Sequence, residues 1–126
     1  MESNHILIVA DSCYSGTLTR KAYTNLDSKQ NRDRYLDKML KRTSRTLLAS
    51  GGNEPVADSG RNGHSVFAEA FIEGLQEMDI VTFTAEELFY TSIKERVAGK
   101  AEQIPEYNTI RNSGHDGGDF IFRRVQ

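Results

Sequence analysis

The most informative stretch of the chain reads HILIVADSCYSG and covers residues 5–16. Its first half, residues 5–10, is short, continuously apolar and partly β-branched, which is typical of a strand buried on both faces of a parallel sheet. Small and polar residues replace the apolar run abruptly at residues 11–16, as expected where a strand ends. The stretch therefore predicts a central strand that carries Asp11 and Cys13 to the carboxyl end of a sheet.

The other apolar patterns predict two further strands and three helices. The strands are expected at residues 45–50 and 119–123, and a long glycine-rich loop at residues 51–63. The helices are expected at residues 33–42, at residues 65–77 and from Thr84 to Gly99. Strands that alternate with helices favour an α/β layered sheet.

The start of the last helix is the sharpest local signal. Thr84 and Glu87 have the spacing of a capping box, and Phe83 with Leu88 has the spacing of a hydrophobic staple. Gly99 is the predicted end of this helix.

Length and composition limit the class of protein. The chain has 126 residues, 37% hydrophobic residues and a net charge of −2, which suits one compact domain and argues against nucleic acid as a partner. No apolar run approaches the roughly 20 residues of a membrane helix. The first residues lack the basic region of a secretory signal, and a single cysteine excludes an internal disulfide. We therefore expect a cytoplasmic location.

Cys13 is the candidate for chemistry, because a thiol at the carboxyl end of a central strand lies where open α/β sheets bind ligands. Backbone N–H groups at such a turn can stabilise a thiolate and form an oxyanion hole. Asp11 lies two residues earlier, and alternation along an extended strand predicts that both side chains face one pocket. A carboxylate beside a thiol opposes thiolate formation, so Asp11 is better suited to binding a cationic substrate group. The alternative is a buried structural cysteine.

Three motifs resemble those of the caspase-like cysteine peptidases, the family of caspases and metacaspases (peptidase C14). DSCYSG at residues 11–16 resembles the nucleophile motif. RTLLASGGNEP at residues 45–55, with GHSVF at residues 63–67, resembles the small-subunit part of bacterial members, and GGDFIF at residues 117–122 resembles their ending. The resemblance extends from His5 to Arg123.

The resemblance implies a caspase-like layered sheet with helices on both faces, in three parts. Residues 1–18 would form the nucleophile strand and loop, residues 19–44 a charged inter-subunit-like segment, and residues 45–126 the small-subunit-like part. The chain would be the C-terminal part of one caspase-like domain, without its N-terminal strands.

The implied activity is that of a cysteine endopeptidase (a thiol protease), with no metal and no cofactor. Cys13 would attack the scissile carbonyl and form an acyl-enzyme. Asp11 matches the position that metacaspases use to bind a P1 Arg or Lys, which predicts peptide substrates with a basic P1 residue. Ser50, Glu54 and Asp58 lie in the segment that lines the family's substrate groove and are expected to add contacts.

One departure from the family concerns the catalytic histidine, which lies roughly 50 residues before the cysteine. Only 12 residues precede Cys13 here. His5 would lie about 26 Å away along an extended strand, at ~3.3 Å per residue. Neither His64 nor His115 matches the family's histidine motif. We therefore expect the general base to come from an upstream part of the domain, and the isolated chain to be inactive.

Other interpretations concern partners and processing. Nine of the 16 Lys and Arg residues lie between Arg20 and Arg45, which would suit self-cleavage after basic residues. Phe120–Phe122 would suit a homodimer through the last strand. A catalytically inactive interaction or regulatory module is the main alternative. A cysteine phosphatase is disfavoured, since six residues separate Cys13 from Arg20 where that family has five.

Overall fold

The computed structural model describes residues 3–13, 19–21, 31–51 and 64–125, with the backbone alone at residues 12, 13 and 19–21. These residues form a small mixed α/β structure. Its strands are β1 (His5–Cys13), β2 (Thr19–Lys21), β3 (Ser44–Gly51), β4 (Thr82–Thr84), β5 (Glu106–Ile110) and β6 (Ile121–Arg123). Its helices are α1 (Arg32–Lys41), α2 (Val66–Glu77), α3 (Ala85–Leu88) and α4 (Lys94–Lys100), with a π-helical turn, Phe89–Ile93, between the last two.

The main sheet has four strands in the order β1-β3-β5-β2. β1 and β3 are parallel, as predicted, and run in register from His5 opposite Ser44 to Ala10 opposite Ala49. β5 is antiparallel to both β3 and β2. The sheet is therefore mixed, where the sequence analysis considered a parallel one.

The prediction that residues 119–123 add the third strand of this sheet is wrong. Residues 121–123 form β6, which pairs with β4 in a separate two-stranded sheet. The reason is side-chain packing: the ring of Phe122 stacks on that of Phe83 across this small sheet, with centroids 5.6 Å apart. Asp119, expected at the start of the strand, lies before it and is buried.

The third strand of the main sheet is β5, in a stretch where no strand was predicted. Only Tyr107 of β5 is buried, and its neighbours are half-buried or exposed polar and aliphatic residues. Pairing with β3 on one side and β2 on the other determines this strand. Its conformation therefore depends on contacts distant in sequence rather than on its own apolar pattern.

The hydrophobic core forms where α2, α3, the π-helical turn and α4 pack with β3, β4 and β5. The apolar stripes of the helices predicted at residues 65–77 and from Thr84 to Gly99 are confirmed, because all of their residues lie in the core cluster or pack against it: Phe67, Ala70, Phe71, Leu75, Met78, Leu88, Phe89, Ile93 and Val97. The helix predicted at residues 33–42 has no buried residue, and its Leu40 is 54% exposed. Ile93 and Val97 are fully buried. The main sheet contributes Leu48 of β3 and Tyr107 of β5 to this core.

The predicted capping box is present at α3. The Thr84 hydroxyl accepts a hydrogen bond from the Glu87 N–H at 3.1 Å, and a Glu87 carboxylate oxygen accepts one from the Thr84 N–H at 3.0 Å. Gly99, expected to end the helix, lies inside α4, which continues to Lys100. No helix among the described residues has the length and apolar character to cross a membrane.

β1 is less buried than its apolar sequence predicts. Ile8 and Val9 expose 42% and 40% of their surface, on a strand expected to be buried on both faces. Within the described residues β1 pairs with β3 alone and forms an edge of the sheet. The sequence of β1 is thus typical of a central strand, but within the described residues the strand lies at an edge of the sheet.

Candidate functional site

The candidate site lies where β1 and β3 end, here called the carboxyl edge. Because the two strands are parallel, their carboxyl ends lie side by side. Cys13 is the last residue of β1 and pairs with Gly51, the last residue of β3. The backbone thus places the predicted nucleophile at the predicted end of the sheet, while the direction of its side chain is outside the described part of the structure.

The register of β1 changes immediately before Cys13. Ala10 pairs with Ala49 and Cys13 pairs with Gly51, so β1 uses one more residue than β3 between these pairs. An extra residue of this kind is a bulge, which bends a strand, and bulges are over-represented next to active sites. The simple alternation used to place Asp11 and Cys13 on one face does not apply across a bulge, so their shared face stays a prediction.

Asp11 carries an exposed carboxylate at this edge. Its Oδ2 accepts a hydrogen bond from the Ser65 hydroxyl, with an oxygen–oxygen distance of 2.6 Å. Ser65 is the N-cap of α2, and its Oγ also accepts a hydrogen bond from the Ala68 N–H at 3.0 Å. The contact fastens the end of β1 to the start of α2.

The remaining predicted substrate contacts differ in how the structure places them. Ser50 lies in β3 at the carboxyl edge and is fully buried. Its neighbour Gly51 is approached so closely by Gln103 that a Cβ at Gly51 would lie 2.9 Å from the Gln103 Cβ. Glu54 and Asp58 lie outside the described residues, so their contacts stay predictions.

Two of the three histidines have hydrogen bonds away from the carboxyl edge. His5 lies at the opposite end of β1, where its Nε2 donates to the Leu40 carbonyl at 2.6 Å and its Nδ1 lies 2.8 Å from the Ser44 hydroxyl. The Nδ1 of His115 accepts a hydrogen bond from the Arg45 N–H at 3.0 Å. Burial lowers the pKa of His115, which favours the neutral ring that this acceptor role requires.

His64 is the histidine next in sequence to Ser65, the hydrogen-bond partner of Asp11. It is exposed and immediately precedes Ser65, so it lies at the start of α2. A histidine directly before the helix predicted at residues 65–77 is expected at a helix start, and the structure places His64 next to the N-cap of α2.

A second polar cluster surrounds Asp119, which is buried. One carboxylate oxygen of Asp119 accepts hydrogen bonds from the Tyr107 hydroxyl and from its neighbour's N–H, and the other accepts one from the Glu86 N–H at 3.1 Å. Burial raises the pKa of Asp119 and of Tyr107. Tyr107 lies in β5, Glu86 lies in α3, and Asp119 and its neighbour directly precede β6. The cluster therefore connects these three parts of the fold.

Metal ligands do not cluster in the part of the chain that is described. Groups of three or more His, Cys, Asp and Glu residues suited to a metal ion are not found there.

The sequence analysis missed Ser65 as a partner of Asp11. A serine directly before an apolar helical pattern is a recognisable N-cap signal. Its contact with a residue 54 positions away depends on how α2 packs beside β1, which no local pattern shows.

No protein-family model, curated protein or solved structure gives a significant match to this chain.

Proposed function

We propose that this chain is the nucleophile-bearing part of a cysteine endopeptidase of the caspase and metacaspase type that cleaves after Arg or Lys. The observation that carries the proposal is the carboxyl edge: a cysteine at the end of a parallel strand pair, with an exposed carboxylate two residues earlier. A carboxylate held at such an edge suits a guanidinium or ammonium group. The resemblance of the three sequence motifs to those of caspase-like peptidases also supports the proposal.

In this mechanism a histidine takes the proton of the Cys13 thiol, and the sulfur attacks the scissile carbonyl carbon to form a tetrahedral intermediate. The peptide C–N bond then breaks, which leaves a thioester, and the departing amine takes the proton from the histidine. Water hydrolyses the thioester and regenerates the thiol. Asp11 binds the P1 side chain throughout and takes no part in the proton transfers.

The general base, in this proposal, comes from polypeptide that carries the family's histidine segment and docks on β1. Ile8 and Val9 support this docking, because adjacent residues of a strand face opposite sides and both are about 40% exposed. A neighbouring strand would pair with the edge of β1 and shield part of each of these side chains. The hydrogen bonds of His5 and His115 support an external base too.

The test is peptidase activity of the chain joined to its upstream region, measured on fluorogenic peptides with Arg, Lys or a neutral residue at P1. We expect Cys13→Ala to abolish turnover. Asp11→Asn should lower kcat/KM for basic P1 residues by roughly 10- to 100-fold, the effect of losing one charge-assisted contact. Asp116→Asn, at an exposed carboxylate elsewhere, is the matched control and should leave activity unchanged.

Two results would contradict the proposal. One is turnover that survives Cys13→Ala. The other is an Asp11→Asn variant that retains the same preference for basic P1 residues. The isolated chain should show no turnover, so robust activity that depends on Cys13 would place the general base within these 126 residues.

An inactive interaction module is the second candidate, favoured by the exposed apolar edge of β1. Labelling of Cys13 with an arginine-type electrophile separates the two. Labelling that requires the upstream region supports a peptidase, and a thiol that stays inert with that region present supports the module. A homodimer through β6 and a cytoplasmic location stay predictions of the sequence.

A further inference from the structure

The strongest unassigned feature is the hydrogen-bonded chain that joins Asp11, Ser65 and Ala68. Ser65 exposes only 8% of its surface, whereas its partner Asp11 is exposed. A buried residue therefore donates a hydrogen bond to an exposed one at the carboxyl edge.

The direction of the Ser65 hydroxyl proton follows from its two contacts. A serine hydroxyl has one proton to donate and two lone pairs to accept with. The Ala68 N–H occupies a lone pair at 3.0 Å, and a carboxylate oxygen can only accept, so the proton points at Asp11 Oδ2 across 2.6 Å. The Ser65 end of the interaction is thus fixed by the start of α2.

The consequence is an oriented carboxylate with acceptor capacity to spare. An ionised carboxylate has two oxygens and about four lone-pair sites. Among the described residues only Oδ2 has a partner, and that partner occupies one site. Ser65 restricts rotation of the group, and no described residue occupies Oδ1.

We infer that Ser65 is a positioning residue that holds Asp11 in the orientation that binds a basic P1 side chain. This inference rests on the proposed function and adds a specificity determinant to it. Fixing a charged group in advance strengthens binding because less conformational freedom is lost when the ligand arrives. Ser65 itself does not touch the reacting atoms.

Helix capping is the competing role of Ser65, and two substitutions separate the roles. Glycine is tolerated at N-caps with little loss of stability, so Ser65→Gly removes the hydroxyl and leaves α2 in place. Threonine keeps both the hydroxyl donor and the cap, so Ser65→Thr should restore binding. Ser113→Ala is the matched control, because the Ser113 hydroxyl also donates across 2.6 Å, to the Ile110 carbonyl. Its site follows β5, at the end of the sheet opposite Gly51.

The experiment measures binding of agmatine and of its neutral urea analogue to the 126-residue chain by NMR titration. We expect Ser65→Gly to weaken agmatine binding by roughly five- to tenfold, the usual effect of one hydrogen bond. Binding of the urea analogue should not change, and Ser65→Thr and Ser113→Ala should bind agmatine as the unmodified chain does. Circular dichroism confirms that each variant is folded.

The outcomes distinguish the inference from the function beneath it. If Asp11→Asn abolishes agmatine binding while Ser65→Gly leaves it intact, Ser65 is only a helix cap and the inference fails. A parallel loss of agmatine and urea binding in Ser65→Gly also overturns it, since that pattern reports structural damage. If the unmodified chain prefers neither ligand, the basic-P1 proposal fails together with the inference.

Discussion

Gly118 shows, at the scale of a single residue, why the GGDFIF motif contains glycine. A Cβ at Gly118 would lie 2.0 Å from the backbone oxygen of Arg42 and 2.9 Å from that of Met39. The Gly118 N–H meanwhile donates to the Thr43 carbonyl at 3.2 Å. Only glycine fits where the chain passes this closely over the end of α1.

We predict that Gly118→Ala destabilises the protein by about 3 kcal/mol or more, because the clash involves backbone that cannot move away easily. Gly99→Ala is the control, since nothing lies within 4 Å of a Cβ there. Alanine inside α4 should stabilise the fold by about 0.5–1 kcal/mol. Urea unfolding of both variants measures the difference. Equal stabilities for the two alanine variants would contradict the close approach at Gly118.

Contacts between residues close in sequence were predictable at this scale, whereas contacts between distant residues were not. The capping box of Thr84 and Glu87 was predictable because both partners lie within one helical turn. The contact between Asp11 and Ser65 was not, because it joins residues 54 positions apart. The position of Cys13 at a strand end could therefore be predicted from sequence, but the contact of Asp11 with Ser65 could not.

At the scale of elements, the charged segment around α1 is fastened to the core by an ion pair. The Arg32 guanidinium donates to both carboxylate oxygens of Glu87, at 2.6 and 3.0 Å, and also to the Thr82 carbonyl at 2.7 Å. Burial alone would raise the pKa of Glu87, but the hydrogen bonds from Arg32 and from the Thr84 backbone outweigh burial and lower it. The pair joins α1 to the start of α3.

A pH dependence of stability follows from this pair. Because folding lowers the pKa of Glu87, its contribution to stability is complete above the usual glutamate pKa and is lost as the pH falls through the lowered value. We predict that Glu87→Gln, which keeps a capping-box residue, costs about 1–2 kcal/mol at neutral pH. Denaturant unfolding should show this difference shrinking in acid.

The control for this prediction is Asp37→Asn, which breaks an exposed pair with Lys41 on α1. Exposed i,i+4 pairs contribute about 0.3–0.5 kcal/mol, so this variant should change stability little. A loss at Glu87→Gln that stays constant from neutral to acidic pH would show that the charge of Glu87 does not cause it.

Elements differed in how well the sequence predicted them. The bounds of α1, α2 and β3 agree with the predictions to within one residue, because each has a strong apolar period or cap. β5 was missed because its residues 106–110 show little apolar alternation and gain their pairing from β3 and β2. β6 was expected in the wrong sheet, since a sequence pattern identifies a strand but not its neighbour.

At the scale of the whole molecule, β1 lies at an edge of the sheet within the described residues. Unpaired strand edges with apolar side chains are templates for pairing with another chain. Ile8 and Val9 provide such side chains on opposite faces of β1. The isolated chain should therefore self-associate through this edge unless another strand covers it.

We predict that Val9→Lys reduces self-association of the isolated chain, as measured by sedimentation velocity over a range of concentrations. A lysine on an edge strand opposes strand pairing because its charge cannot be buried. Val125→Lys is the control, at a position that is 87% exposed near the end of the chain, and should have no effect. A wild-type chain that stays monomeric at every concentration, or a Val9→Lys variant that associates equally, would contradict this account.

The extra residue in β1 before Cys13 separates two tasks within one strand. Residues 5–10 pair one to one with residues 44–49 of β3, and the sheet depends on this register. After the bulge, β1 no longer follows the alternation between the two faces of the sheet that residues 5–10 follow. Substitutions after the bulge can therefore change the chemistry at the end of β1 while the pairing of residues 5–10 with β3 stays intact.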